Sequence, residues 1–233
     1  MAWGVAWLPR GSAVHSFVIR SYTLFPPILW SLCHVAMLKS DRWIREQAQR
    51  GMIEPFCPEL VRAVEWNGQM RPVLSYGLSS YGYDIRLSPV EFKIFRHVPG
   101  TVVDPKRFNP KNLEPVELHH DEMGDYFIIP AHSYGLGVSL ERLHVPDNIT
   151  VICIGKSSYA RVGLIANLTP AEAGWRGYLT LEFSNASSAD CRVYANEGVV
   201  QLLFLEGDPC QITYADRQGK YQDQPQQVVV ARV

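Results

Sequence analysis

Nowhere in this chain do two cysteines stand three positions apart. The five that exist, Cys33, Cys57, Cys153, Cys191 and Cys210, are odd in number and widely spaced. That argues against a disulfide framework and against a thiolate zinc cage, and it fits a reducing, cytoplasmic compartment. An excess of either charge is missing too: 22 Lys and Arg face 23 Asp and Glu, for a net charge of -1. No global basic field therefore draws the chain to nucleic acid or to an anionic membrane, and any polyanion must be met by a local cluster. The sequence has no G-x-x-x-x-G-K-[ST] loop and no G-x-G-x-x-G turn, which removes the common nucleotide-binding folds. What it holds in quantity is apolar side chain. With 47% apolar against 19% charged over 233 residues, it can build one large domain or two small ones around a real core.

Acidic residues are also absent from positions 1 to 36, where Arg10 and Arg20 are the only charges. This part carries +2 and the rest, with 20 basic and 23 acidic groups, carries -3. The uncharged run from Ser21 to Leu38 reaches the lower limit of a membrane span, about 18 residues. Ser21, Thr23, Pro26, Pro27, Ser31 and His34 interrupt it. A secretory cut after Ala36 would place His34 where a small residue is wanted. At Met37 the texture changes to M-L-K-S-D-R-W-I-R-E-Q-A-Q-R-G, in which Ser40 or Asp41 can cap a helix and Gly51 can close it. The expectation is a single domain over residues 37–233 that starts naturally at Met37, with residues 1–36 a non-native or dispensable extension.

After that helix the signals are those of strands. Short β-branched and aromatic runs alternate with Gly, Pro, Asn and Asp: Tyr83 to Leu87, Tyr126 to Ile129, Tyr134 to Leu140, Ile149 to Ile154, Tyr178 to Phe183, Arg192 to Tyr194 and Val199 to Leu205. They predict an all-β sandwich or barrel. In Tyr178 to Ser184 the apolar Leu179, Leu181 and Phe183 share one face, and Thr180, Glu182 and Ser184 share the other. The charged, Pro-containing stretch from Asp104 to Asp125 reads as a long surface loop.

His119-His120-Asp121-Glu122 contains an H-x-E and Pro209-Cys210 a P-C, two elements of the zinc nucleobase deaminases. Thr213 stands where the second thiolate ligand would be, so the tetrahedral site is incomplete. The His pair is assigned to a solvated loop, and no metal is expected on the protein. The densest polar segment is Gly155-Lys156-Ser157-Ser158-Tyr159-Ala160-Arg161. Its free backbone, two hydroxyls and two cations could cradle a polyphosphate. A Ser-rich turn with a Lys is more often a solvated hairpin end.

That segment, continued through Val162-Gly163-Leu164-Ile165 and followed by Gly174-Trp175-Arg176-Gly177-Tyr178-Leu179-Thr180-Leu181-Glu182-Phe183-Ser184-Asn185, resembles the central motif of dCTP deaminases. Ser79-Ser80-Tyr81-Gly82-Tyr83-Asp84-Ile85-Arg86, Tyr194-Ala195-Asn196-Glu197-Gly198 and Tyr214 to Gln222 agree as well, in the family's order. The resemblance runs from about Met37 to about Gln224. It implies a mainly β, dUTPase-like distorted barrel of jelly-roll type with a short N-terminal helix. It also implies a homotrimer with sites between subunits and zinc-independent hydrolysis of dCTP to dUTP and ammonia, with Mg²⁺ bound through the triphosphate and dTTP as a feedback inhibitor.

Carried over by position, Glu182 is the catalytic carboxylate, and Arg161 and Ser157 order the water and the base. Lys156 and Ser158, with Tyr159 and Ala160, belong to the phosphate-contacting turn. Thr180 and Leu181 precede Glu182 in the base-binding strand. Gln201, Tyr214 and Gln224 are nucleotide contacts, and Lys220 lies in a lid-like tail over about 214–233. Asp84 and Arg86 alternate outward from Tyr83, Ile85 and Leu87, in a pattern that suits a structural ion pair or a subunit contact as well as catalysis.

Two other readings compete. dUTP hydrolysis to dUMP needs an acid that activates water at the α-phosphate, and Val162 to Leu181 offers only Glu172. A non-catalytic nucleotide-binding barrel would not be expected to keep Ser157, Arg161 and Glu182 together.

Overall fold

Alternation along the strands builds the molecule. The computed structural model describes residues 37–96 and 98–233; the expected extension, residues 1–36, lies outside them. The strands are β1 (Ile53–Glu54), β2 (Leu60–Trp66), β3 (Gln69–Ser79), β4 (Gly82–Phe95), β5 (Leu113–Pro115), β6 (His119–Asp121), β7 (Gly124–Ile129), β8 (Tyr134–His144), β9 (Ile149–Gly155), β10 (Leu164–Asn167), β11 (Arg176–Asn185), β12 (Cys191–Tyr194) and β13 (Gly198–Glu206). One helix, α1 (Asp41–Ala48), precedes them, and a single helical turn, α2 (Ser157–Ala160), follows β9. All seven runs expected to be strands fall within strands.

The main sheet runs β10-β11-β8-β4-β13-β9, with β1 beside β8, β5 and β3 beside β4, and β2 beside β3. A second sheet is ordered β12-β7-β6. β4 joins the two halves of the main sheet. Its first residues pair with β3 and β13, and its later ones with β8 and β5, with a register shift between Leu87 and Phe92. Pro89, which has no N–H for a ladder, sits at that switch. Gly155 at the end of β9 lies close enough to β10 that a Cβ there would stand 3.2 Å from the Ala166 carbonyl oxygen. The two ends of the sheet path thus curve toward each other, as in a distorted barrel.

The interior is aromatic and aliphatic. Phe92 stacks on Phe127 at 4.9 Å and meets Phe183 at 5.8 Å. Tyr83, Ile85, Leu181, Leu202 and Phe204 are all fully enclosed. Strand β8 passes so near this cluster that a Cβ at Gly137 would stand 2.6 Å from Leu87, which explains the glycine in an otherwise apolar strand. Helix α1 starts after Ser40 and ends with Gly51 at φ +88°, where the Met52 N–H bonds the Gln47 carbonyl. Ser40 makes no side-chain cap bond; the Asp41 carboxylate instead accepts from the Arg42 N–H.

Residues 104–125 are not a bare loop. They contain 3₁₀ turns at Pro105–Arg107 and Pro110–Asn112, whose preceding Asp104 and Asn109 side chains accept from Lys106 and Lys111 N–H groups, followed by β5 and β6. His119 and His120 thus lie on a strand, where His120 pairs with Asp125 across the β6–β7 hairpin. Strands three residues long are too short to show a period.

Asp84 and Arg86 do alternate away from Tyr83, Ile85 and Leu87, but that face is covered as well. Arg86 Nε meets the fully buried Glu141 at 2.7 Å, and Asp84 meets Lys156 at 2.6 Å.

Candidate active site

Glu182 takes its place from the pleat of β11. Leu179, Leu181 and Phe183 are buried in the core, and Thr180, Glu182 and Ser184 stand on the opposite, half-buried face. Across the ladders Glu182 faces Leu136 of β8 and Asn167 of β10. Its carboxylate makes no hydrogen bond or ion pair among the described residues, and burial raises its pKa above the ordinary carboxylate range. An unpaired carboxylate of raised proton affinity on a rigid strand is equipped to take up a proton.

It opens into a cavity of about 620 Å³. One wall is aromatic, formed by Phe95, Phe108 and Tyr134, with Phe95 edge-on to Tyr134 at 5.4 Å. Burial first, and then the Glu182 charge, push the Tyr134 phenol up to about 12, so it stays protonated at neutral pH.

The opposite wall is the C-terminal tail. Trp175 Nε1 donates to the Tyr221 carbonyl at 2.8 Å, the Tyr178 N–H donates to the Gln224 carbonyl at 3.0 Å, and Thr180 Oγ1 donates to Gln224 Oε1 at 3.0 Å. Ion pairs Arg176–Asp223 and Arg217–Glu172 fasten the same segment. Val228 and Val229 are buried, and the Val229 N–H reaches Thr180 Oγ1 at 3.3 Å. Lys220 Nζ is turned to the Arg232 carbonyl at 2.6 Å. The flat ring of Tyr214 fills the space where a Gly219 side chain would stand. Glycine is there for close approach.

Of the residues singled out from sequence, this cavity gathers Glu182, Thr180, Tyr214, Lys220 and Gln224. Leu181 turns into the core, so only its main chain faces the site. Lys156, Ser157, Ser158, Tyr159, Ala160, Arg161 and Gln201 lie outside the cavity lining. Ser157, Ser158, Ala160 and Arg161 are exposed, with Arg161 Nη1 on the Ser157 carbonyl at 3.1 Å. Tyr159 is buried and accepts from the Tyr194 N–H at 2.9 Å. Gln201 Nε2 points to Ser79 Oγ at 3.4 Å. The aromatic wall was not anticipated. Its three members come from separate segments, Phe95 from β4, Tyr134 from β8 and Phe108 from the segment after the first 3₁₀ turn, which only the tertiary fold brings together.

The model of the dCTP deaminase-like family matches residues 38–207. A dCTP deaminase of Acidobacterium capsulatum is 50% identical over 188 residues, covering 80% of this chain and 94% of the relative. One of Acidithiobacillus ferrooxidans is 52% identical over 189 residues, covering 80% and 95%. Among solved structures, the 2'-deoxycytidine 5'-triphosphate deaminase from Agrobacterium tumefaciens aligns with a TM-score of 0.47 at 18% identity, over 72% of this chain and 47% of that one.

Proposed function

The chain belongs to the dCTP deaminase-like family, and from that premise we propose that it hydrolyses dCTP to dUTP and ammonia, with Glu182 as its general base. The observation that carries this reading is the unpaired, half-buried Glu182 carboxylate in a cavity lined by Phe95, Phe108 and Tyr134 and by the docked C-terminal tail. Water adds to C4 of the cytosine ring as Glu182 takes one of its protons and passes it to the ring nitrogen. The carboxylate then takes the proton of the new C4 hydroxyl and delivers it to the amine, so that the C4–N bond breaks as the C4 carbonyl forms and ammonia departs. Thr180 and Gln224 offer hydrogen-bonding groups beside the base, and Tyr214 and Lys220 lie toward the sugar and phosphates.

The roles proposed for Ser157, Ser158 and Arg161 call for a second subunit at the site. They stand exposed and outside the cavity that holds Glu182, an arrangement that suits a turn contributed to a neighbouring copy. Ile152, Ile154, Val162 and Ile165, on β9, β10 and the segment between, are exposed aliphatic side chains, and they offer the apolar face a homotrimer would cover. Mg²⁺ in this reading travels on the triphosphate oxygens. Among the described residues no three His, Cys, Asp or Glu converge as a metal site. dTTP, which shares the deoxyribose and the triphosphate, is the proposed feedback inhibitor. Residues 37–233 form the catalytic unit in this proposal, a view supported by the family match over 38–207. A cytoplasmic setting is supported by the free thiols of Cys57, Cys153, Cys191 and Cys210. No helix among the described residues is long and apolar enough to cross a membrane.

Further hydrolysis to dUMP is the weaker reading, since the Glu172 carboxylate is engaged by Arg217. Glu182→Gln tests the assignment. It should keep dCTP binding and lose on the order of 10²–10⁴ in kcat, the usual worth of a positioned acid–base group. Near wild-type kcat would remove Glu182 from the chemistry.

A further inference from the structure

Asp84 and Lys156 come from separate sequence blocks and meet under cover on the face of β4 opposite Tyr83 and Ile85. Lys156 Nζ donates to Asp84 Oδ2 at 2.6 Å, with side-chain exposures of 11% and 6%. The second oxygen, Asp84 Oδ1, is buried without a hydrogen-bond partner. Gln201, opposite Asp84 in the β4–β13 ladder, points its amide nitrogen to Ser79 Oγ at 3.4 Å and lies near enough to the Asp84 carboxyl to favour its charged form, after Lys156.

Stability is a poor reason for this arrangement. Withdrawing two charges from water costs more than a pair in low dielectric commonly returns, and an unsatisfied buried oxygen adds to the cost. What the pair does is geometric. Lys156 is the residue at which β9 turns into α2, and its carbonyl accepts the Ala160 N–H at 3.1 Å. Pinned at its tip to a buried carboxylate, its long flexible stem is fixed at both ends, and so is the turn on which Ser157, Ser158 and Arg161 stand.

We propose that Asp84 is a positioning residue for the Ser157–Arg161 turn: by holding Lys156 it sets that turn in the geometry that receives the nucleotide's polyphosphate, and Lys156 acts through this anchorage rather than as a free phosphate-binding cation. The proposal rests on reading the turn as a nucleotide contact, as above. It assigns Asp84 a role and changes the one that resemblance suggests for Lys156.

The test compares wild type, Asp84→Asn, Lys156→Gln and the double variant. It measures KM and kcat for dCTP, and binding of tripolyphosphate and of deoxycytidine by calorimetry. Each single change should raise the dCTP KM and the tripolyphosphate Kd about tenfold or more. It should cost less than threefold in kcat and leave deoxycytidine binding unchanged. The double variant should be no weaker than the weaker single. The proposal is overturned if Asp84→Asn leaves tripolyphosphate binding unchanged or tighter while Lys156→Gln weakens it. Equal weakening of deoxycytidine also overturns it, by making the pair a general structural element.

Should the single variants fail to fold, Asp84→Glu decides, because it keeps the charge and moves the anchor point by one methylene. Positioning predicts weakened tripolyphosphate binding, and wild-type affinity refutes it. Calorimetry needs no turnover, so a wild-type chain that releases no ammonia from dCTP would count against the functional reading and leave this test standing.

Discussion

Replacing Glu141 by Gln isolates the buried ion pair beneath the strand that carries Glu182. The Glu141 side chain is wholly enclosed. Its Oε1 takes Arg86 Nε at 2.7 Å and its Oε2 takes the Arg86 N–H at 2.8 Å. Arg86 in turn lies over the Tyr76 ring at 4.8 Å. Gln keeps the volume, so no cavity opens, but it leaves the guanidinium, only 17% exposed, without a counter-charge. Breaking a buried pair from one side costs about 3–5 kcal/mol. For a chain of this size each kcal/mol is worth about 2–4 °C in Tm, so Glu141→Gln should melt roughly 6–20 °C lower at matched protein concentration. The double change Arg86→Met with Glu141→Leu removes both charges and should recover most of that loss. Because Glu141 lies outside the cavity lining, kcat for dCTP at a temperature where the variant is folded should stay within twofold. Differential scanning calorimetry checks the first part and steady-state kinetics the second. A Tm within 3 °C of wild type would refute the claim that this pair carries a desolvated charge.

Burial raises the Glu182 pKa, so the acid limb of kcat/KM for dCTP should fall above the ordinary Glu value of about 4.3; a limb at or below 4 contradicts the site's electrostatics. The same shift costs stability. Between the unfolded and folded pKa values the native state binds more protons, so this group's contribution declines as pH rises through that window. Glu182→Gln should therefore melt higher than wild type at pH 7, with the difference gone near pH 3, as pH-dependent melting curves would show. Gly177 has φ +136°, and a Cβ there would stand 2.6 Å from the Gln224 amide nitrogen. Gly177→Ala should thus lift the tail from β11 and raise the dCTP KM severalfold, and an unchanged KM would mean that the docked tail contributes nothing to binding.

Much of the site was legible where a single strand carries the information. The alternation in Leu179 to Ser184 placed Glu182 and Thr180 on the wet face before any tertiary structure was known. Local signals also existed that were not taken up. Asn67-Gly68 joins β2 and β3 as a two-residue hairpin loop, with φ +50° and +78° and Trp66 opposite Gln69. It is the strongest short-range hairpin signal there is, yet Arg62 and Glu65 on one arm and Pro72 on the other blurred the strands beside it. Contacts set by register were out of reach. Phe95 and Tyr134 meet because β4 and β8 run side by side, Phe108 joins them from the segment after the first 3₁₀ turn, and the Lys156–Asp84 bond spans 72 positions. No periodicity encodes such a meeting. Exposure of Ser157, Ser158, Ala160 and Arg161 around the buried Tyr159 likewise follows from the tertiary fold and not from any local pattern.

The central claim is a reaction, and its most direct measurement is product identification from purified chain, dCTP and Mg²⁺, with CTP and dCMP as controls. The account predicts stoichiometric ammonia and dUTP from dCTP, abolished by Glu182→Gln. Release of pyrophosphate with dUMP, or no ammonia at all, would contradict it.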